Sequence, residues 1–155
     1  MVMKRITAIL TALLFALSAA ACSQSSDPGT WTVSVETASG EKQFSSDQAK
    51  SLKAVSFDAT IKNKNGDTTT SKYTGVKLSD ILSAVGVSDF STLTIAASDG
   101  YSADYDKDLA MKDDTILAWA QDGKPINSDP PLQMTPKTGT GNQFVKQVNK
   151  ITVNP

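Results

Sequence analysis

Short segments in which apolar and polar residues alternate are the feature of this sequence that most constrains its fold. The clearest is AVSFDATI at residues 54–61, where one face would carry Val55, Phe57, Ala59 and Ile61. Successive side chains of a β-strand point to opposite faces, so this period of two predicts a half-buried strand. The hairpin signal Asn65-Gly66 follows, and the Thr-rich stretch 68–74 is the predicted returning strand. The sequence therefore predicts strands joined by tight turns.

Other segments complete a β-rich α+β domain with a few short helices. Further strands are predicted in residues 31–35, 91–106, 115–121, 131–134 and 144–153, with turns at Asp99-Gly100 and Asp122-Gly123. The period changes once, because the apolar stripe Leu78, Ile81, Leu82 and Val85 has helical spacing and ends at Gly86. A shorter helix is predicted in residues 45–52, with Ser45 or Ser46 as its N-terminal cap.

The first 21 residues have the layout of a secretion signal. Lys4 and Arg5 precede the apolar stretch Ile6–Ala21, which ends in three alanines. The stretch stops at Cys22 and is followed by polar residues without a basic flank, which disfavours a membrane-spanning helix. We therefore expect residues 1–21 to be a signal peptide.

The small residues before Cys22 and the polar SQSSDPGT tether after it resemble a bacterial lipoprotein signal. In such proteins the cysteine is acylated and becomes the mature N-terminus. The resemblance implies lipidation of Cys22, a flexible tether over residues 22–30 and a single domain over residues 31–155, outside the cytoplasm at a bacterial membrane. The alternative is an ordinary cleaved signal with an unmodified cysteine.

Few chemically active groups remain once the signal is removed. The chain has no histidine, Cys22 is its only cysteine, and Arg5 is its only arginine. Taking Lys4 and Arg5 from the 15 basic residues leaves 13 lysines against 16 acids, a net charge near −3. Nucleic-acid binding needs concentrated positive charge, so that class of function is excluded.

The order of several motifs resembles the oxidoreductase molybdopterin-binding domain, the fold of the sulfite oxidase family. The stretch YTGVKLSDILSAVGV is followed by ASDGYSADY, DDTILAWAQDGKPI, PPLQMTP and FVKQVNKITV, as in that family. The matching positions are Gly75, Leu78, Asp99-Gly100-Tyr101, Leu117-Ala118, Gly123, Pro125, Pro131-Leu132, Pro136, Val145-Lys146 and Ile151. The resemblance implies the family's β-rich fold and a cofactor site that binds molybdopterin.

This chain departs from the family at the positions that perform its chemistry. The resemblance implies a molybdenum-ligating cysteine in Ser56–Gly66, and none is present. Gln133 stands where an arginine is implied, and the histidine is absent. The remaining candidates for contact with a pterin are Lys137, Lys146, Asp99 and Tyr101, although an ordinary surface position is the favoured interpretation of the two lysines. We expect no catalytic residue and no metal ligand.

The acidic stretch DYDKD is a second candidate for cation binding. Asp104, Asp106 and Asp108 resemble the start of a calcium loop, but Leu109 replaces the turn glycine and Thr115 replaces the closing glutamate. If the segment is a strand, the three carboxylates share one solvent-exposed face. We favour this interpretation over a calcium site.

Two functions of different classes follow. The first is a non-catalytic, membrane-tethered module that binds a small molecule or an envelope protein and needs no cofactor. The second is an oxidoreductase-type protein that holds molybdopterin or a pterin without a protein thiolate. The missing cysteine, arginine and histidine favour the first.

Replacement of Cys22 by alanine tests the predicted anchor. We expect Cys22→Ala to release the protein from membranes into the soluble fraction of fractionated cells, because acyl chains provide the membrane affinity. The domain should still fold, since Cys22 precedes it. Salt-resistant retention of the alanine variant in the membrane pellet would contradict the prediction.

Overall fold

The computed structural model describes residues 27–155, which form two β-sheets with short helices at their ends. The predicted signal peptide (1–21) and the predicted lipidation site Cys22 lie outside the described residues. Among residues 27–155, no helix is both long and apolar enough to cross a bilayer. The predicted class, a β-rich α+β domain with a few short helices, is confirmed.

Eleven strands and three α-helices make up the described residues. The strands are β1 (Thr32–Thr37), β2 (Gly40–Ser45), β3 (Ala54–Lys62), β4 (Thr68–Lys77), β5 (Thr92–Ala97), β6 (Ser102–Asp106), β7 (Thr115–Gln121), β8 (Lys124–Pro125), β9 (Gln133–Pro136), β10 (Val145–Lys146) and β11 (Val148–Asn154). The helices are α1 (Ser46–Ser51), α2 (Leu78–Ala84) and α3 (Lys107–Ala110), with a 3-10 turn at Gly141–Gln143.

The strands form a first sheet of order β2-β1-β11-β5-β6 and a second of order β10-β9-β7-β4-β3, with β8 beside β7. Most neighbouring strands are antiparallel, but β1 and β11 are parallel, with Val35 opposite Ile151. The beginning and the end of the domain therefore meet in the middle of the first sheet.

The main core contains apolar side chains from both sheets. Val35, Ile95 and Ile151 of the first sheet belong to the same buried cluster as Leu117 and Met134 of the second. A smaller cluster covers the other face of the second sheet, around Tyr73, Ile116, Ala118, Ile126 and Phe144. Removing apolar surface from water stabilises each by about 25 cal/mol per Å² buried.

Helices α1 and α2 form where the sequence predicts them. Leu78, Ile81 and Leu82 are fully buried, and Gly86, at φ +77°, follows the helix where few other residues fit. Ser45 caps α1, since its hydroxyl accepts from the Gln48 amide (3.4 Å) while the Gln48 side chain accepts from the Ser45 amide (2.9 Å).

Three sequence-based expectations need correction. Strand β2 was not predicted, because Phe44 is its only buried apolar residue and no alternation marks it. The Asn65-Gly66 signal gives a hairpin whose loop spans Asn63–Asp67, longer than a two-residue turn. The three carboxylates of DYDKD do not share a strand face, because β6 ends at Asp106, which caps α3 by accepting from the Leu109 amide at 2.7 Å.

The described part of the predicted tether contacts the domain. The Pro28 carbonyl accepts a 2.8 Å hydrogen bond from the Trp31 indole, and Asp27 lies 3.8 Å from Lys50 of α1. Trp31 is itself buried against the core. The chain therefore enters the domain beside α1.

Gly75 permits a close backbone approach between β4 and β7. A Cβ at this position would lie 2.0 Å from the Leu117 carbonyl oxygen and 2.6 Å from Ala118 Cα, both backbone atoms of β7. The register of β4 against β7 shifts at this point, between Thr74 and Gly75. Only glycine fits without displacing one strand.

We expect Gly75→Ala to destabilise the domain, because a methyl group must separate two central strands. The free energy of unfolding in urea should fall by about 1–3 kcal/mol or more, the usual cost of overpacking. Lys72→Ala, on the same strand but exposed, is the matched control and should change it by less than about 0.5 kcal/mol. Equal stability of the two variants would contradict the assigned packing.

Candidate functional site

Three of the four predicted cofactor-contacting residues come together where the β5–β6 turn meets the segment leading into β11. The Ser98 amide donates to the Gln147 carbonyl at 3.0 Å, and the Tyr101 hydroxyl donates to the Asn142 carbonyl at 2.6 Å. Asp99 lies between these bonded residues, and Lys146 directly precedes Gln147. We call Asp99, Tyr101 and Lys146, with Ser98 and Gln147, the turn cluster.

The local sequence explains the turn that carries Asp99. Gly100 adopts φ +89°, a conformation that favours glycine, and its amide donates to the Ala97 carbonyl at 3.1 Å. The Asp99 carboxylate then accepts from the Tyr101 amide at 3.0 Å. The carboxylate of Asp99 therefore stabilises its own turn.

The fourth predicted residue, Lys137, lies elsewhere. Its amide donates to the Asp114 carbonyl at 2.8 Å, just beyond Pro136 at one end of β9. Lys146 pairs with Gln133 at the opposite end of that strand. At about 3.3 Å per strand residue, the two lysine backbones are roughly 13 Å apart along the strand direction. Lys137 does not join the turn cluster.

Two tyrosines hold the 3-10 turn beside this cluster. The Tyr105 hydroxyl donates to the Gln143 carbonyl, and Tyr101 bonds to Asn142. Tyr105 is fully buried, and burial raises the pKa of its phenol far above the usual value. The position of Tyr105 on the apolar face of an alternating segment predicts its burial, but no sequence signal identifies its bond to Gln143.

The region where the resemblance implies a thiolate lies close to the same 3-10 turn. A Cβ on Gly141 would be 2.7 Å from the Lys62 carbonyl, so this turn packs against the end of β3. Asn63 follows, and its carboxamide oxygen accepts from the Asn65 and Asp67 amides at 2.9 Å each. The side chain of Asn63 therefore stabilises the hairpin loop.

Gln133 stands at the arginine position implied by the resemblance. Its side chain is only 1% exposed and donates to the Thr135 hydroxyl at 3.2 Å. A neutral, buried amide that is already hydrogen-bonded supplies neither positive charge nor the paired donors with which arginine binds phosphate.

The donor set does not fit a molybdenum cofactor ligated by the protein. Residues 27–155 contain no cysteine, histidine or arginine. In the same part of the chain, no group of three acidic, cysteine or histidine side chains has the geometry to hold a metal ion. Lys146 is the cation that the turn cluster offers, and it is exposed, so water screens it.

The shifted carboxyl and ammonium pKa values belong to surface ion pairs away from the turn cluster. Lys150, 2.6 Å from Glu36, lowers the pKa of that carboxyl through a hydrogen bond and its charge, and Lys77 does the same to Asp113 at 2.6 Å. Perturbed groups often mark active sites, but exposed pairs of this kind contribute little to stability.

Two cavities among the described residues lie away from the turn cluster. One of about 250 Å³ lies between the β1–β2 turn and the end of α2, bordered by Ser39, Lys42 and Asp89. A second, of about 430 Å³, lies between α2 and Met111. Neither is lined by Asp99, Tyr101, Lys137 or Lys146.

The bond from Tyr105 to Gln143 is expected to stabilise the turn beside the candidate site. Tyr105→Phe leaves the partly buried Gln143 carbonyl without its donor, which should lower the free energy of unfolding by about 1–3 kcal/mol. Tyr101→Phe removes an exposed hydrogen bond to the Asn142 carbonyl and should lower the free energy of unfolding by less. Chemical denaturation measures both.

The raised pKa of Tyr105 adds a dependence on pH. Its stabilising contribution is complete below the ordinary value of 10.0 and is lost as pH rises above it, because the unfolded phenol ionises first. Stability should therefore fall less steeply above pH 10.0 in Tyr105→Phe than in the parent. Identical slopes would show that Tyr105 is not buried as described.

Comparison with solved structures shows a common fold. The sulfane dehydrogenase SoxCD from Paracoccus pantotrophus matches with a TM-score of 0.68 at 17% sequence identity. The match covers 80% of this chain but 38% of that protein, so this chain spans well under half of its relative's length. No curated protein matches the sequence.

The family model described as the oxidoreductase molybdopterin binding domain matches residues 20–155. This match covers most of the chain and includes all of the described strands. The fold resemblance inferred from the sequence is confirmed, and the chain belongs to the family of the oxidoreductase molybdopterin-binding domain.

Proposed function

We propose that this chain is a non-catalytic binding module that keeps the molybdopterin-binding-domain fold and is tethered to the outside of a bacterial membrane by lipidated Cys22. The observation that carries this proposal is the donor set of the candidate site. The described domain supplies no thiolate, imidazole or guanidinium, which are the groups that redox chemistry at a ligated metal would need.

The arrangement of the remaining polar groups supports the same conclusion. Asp99, Asn63 and Gln133 each direct a side chain to a neighbouring backbone or hydroxyl group. An active site instead holds such groups toward the position that the substrate will occupy. The polar residues of this region therefore act as parts of the scaffold.

The proposed location rests on the N-terminal sequence. The Lys4-Arg5 start, the apolar stretch to Ala21 and the polar tether after Cys22 form one lipoprotein-like unit. The domain has 13 lysines and 16 acids and therefore lacks concentrated positive charge. It contains no disulfide, so it needs no oxidising compartment to fold. Its partner in the envelope would be a small molecule or another protein, and not a nucleic acid.

Membership in the family supports a second candidate, a protein that holds molybdopterin or a pterin without ligating the metal. Lys146, which precedes Gln147 of the turn cluster, would offer one cation and Tyr101 one ring for such a ligand. A phosphate held by lysine charges alone would dissociate readily in salt, because these contacts are exposed and screened. This candidate predicts a pterin bound weakly and without metal.

Analysis of the full chain, purified from cells that make the cofactor, separates the two. We expect no stoichiometric molybdenum by elemental analysis, no fluorescent pterin after oxidation and no turnover of sulfite. One molybdenum per chain would refute the non-catalytic module. Pterin without molybdenum, lost in Lys146→Ala but kept in the distant Lys137→Ala, would favour the second candidate.

A further inference from the structure

Strand β3 has a long free edge. The edge strands of the first sheet are β2 and β6, and those of the second sheet are β10 and β3. Tyr101 and Tyr105 fasten the 3-10 turn beside β6, β10 has two residues, and β2 is polar along most of its six residues. Strand β3 has nine residues, and within the described chain only β4 pairs with it.

The hairpin geometry shows which backbone groups point outward from β3. The Asn63 amide donates to the Asp67 carbonyl at 2.9 Å, so odd-numbered residues of β3 bond to β4 and even-numbered ones face the free edge. Lys72, opposite Asp58, agrees with this, because both its amide (2.8 Å) and its carbonyl (2.7 Å) bond to Asp122 on the other side of β4.

The free edge runs from Ala54 to Thr60. At Lys62 the carbonyl is already covered by the close approach of Gly141. The residues whose amide and carbonyl groups remain available are Ala54, Ser56, Asp58 and Thr60. These four positions are arranged symmetrically about Phe57, two on each side.

The side chains of this edge are divided by face. Val55, Phe57 and Ile61 are half-buried and pack against the outer cluster around Tyr73. On the other face, Ser56 bonds to Thr74 at 2.8 Å and Thr60 to Thr70 at 2.7 Å. A strand added beside β3 would therefore extend an apolar surface on one face and a polar one on the other.

We propose that β3 pairs with β3 of a second copy of this chain, antiparallel and with the two-fold axis at Phe57. In this register Ala54 lies opposite Thr60 of the second copy and Ser56 opposite Asp58. Every free amide and carbonyl of the edge then gains a partner. Phe57 meets its own equivalent, and Val55 meets Ala59.

Neighbouring registers are less favourable for physical reasons. A shift of one residue sets apolar side chains of one copy beside polar ones of the other. Moving the axis to Asp58 places two carboxylates directly opposite each other, which destabilises a strand pair. Moving it to Ser56 leaves Thr60 without a partner. The axis at Phe57 avoids all three problems, and two-fold symmetry is the commonest in homo-oligomers.

This dimer specifies a partner for the proposed module. It depends on residues 54–60 and not on the anchor at Cys22, so each can fail without the other. Exposed edges of this length otherwise promote indiscriminate strand pairing, and closing the edge with a second copy removes that hazard.

Cysteine cross-linking in the full chain tests the register. With Phe57→Cys, mild oxidation should produce a disulfide-linked dimer, because directly opposed residues have Cα atoms about 4.5 Å apart, within disulfide range. Ile61→Cys is the matched control, on the same face and also half-buried. Its equivalents would be roughly 26 Å apart, at about 3.3 Å per residue, and should not cross-link. The unaltered chain shows how much disulfide-linked dimer forms through Cys22 itself.

A second measurement does not depend on an introduced thiol. Sedimentation of the detergent-extracted chain should show a dimer, and Ser56→Pro should weaken it at least tenfold by removing an outward amide without breaking a bond to β4. Circular dichroism checks that the variant folds.

Several outcomes would overturn the dimer. These are a monomer at every concentration, equal cross-linking at positions 57 and 61, or linkage of the introduced thiol to a different protein. Fractionation of the same cells reports membrane association separately, so loss of the anchor and loss of the dimer are distinguishable.

Discussion

Strand β7 is the element on which the rest of the structure depends. All but the last of its residues are buried, with Leu117 and Trp119 in the main core and Ile116 and Ala118 in the outer cluster. It pairs with β4, β8 and β9, and the approach of β4 is close enough that only glycine fits at position 75. Because β7 contributes to both clusters, its position determines where the hairpin β3–β4 and the strand β9 can lie.

The candidate site is assembled from segments that these strands hold in place. Its hydrogen bonds connect the β5–β6 turn to the 3-10 turn and to Gln147, and the 3-10 turn in turn contacts the end of β3. The family's fold is thus retained around a region whose polar side chains bond to one another and to the backbone. A fold can be retained while the side chains of such a region differ, since packing and site chemistry depend on different residues.

Sequence patterns predicted the elements that local chemistry specifies. The apolar stripe of α2, the Ser45 cap of α1 and the alternation in β3 each depend on residues a few positions apart. Strand β2 and helix α3 were not predicted, because neither has a periodic apolar pattern. Strand β2 forms because each of its residues pairs with one of β1, from Ser45 opposite Thr32 to Gly40 opposite Thr37. Helix α3 forms because Asp106 caps its single turn. Gln147, at φ +55°, carries no local signal that would identify its conformation.

By itself, the sequence determined the strand and helix preferences, the turns and the chemical inventory of the domain, in which no cysteine, histidine or arginine follows Cys22. Only the tertiary structure decided that β1 lies parallel to β11 and that the turn carrying Asp99 and Tyr101 meets the backbone next to Lys146. It likewise decided that Lys137 lies apart from them. The physical reason is that a period of two shows which face of a strand is buried but not which strand lies beside it. That choice depends on the joint packing of side chains far apart in the chain.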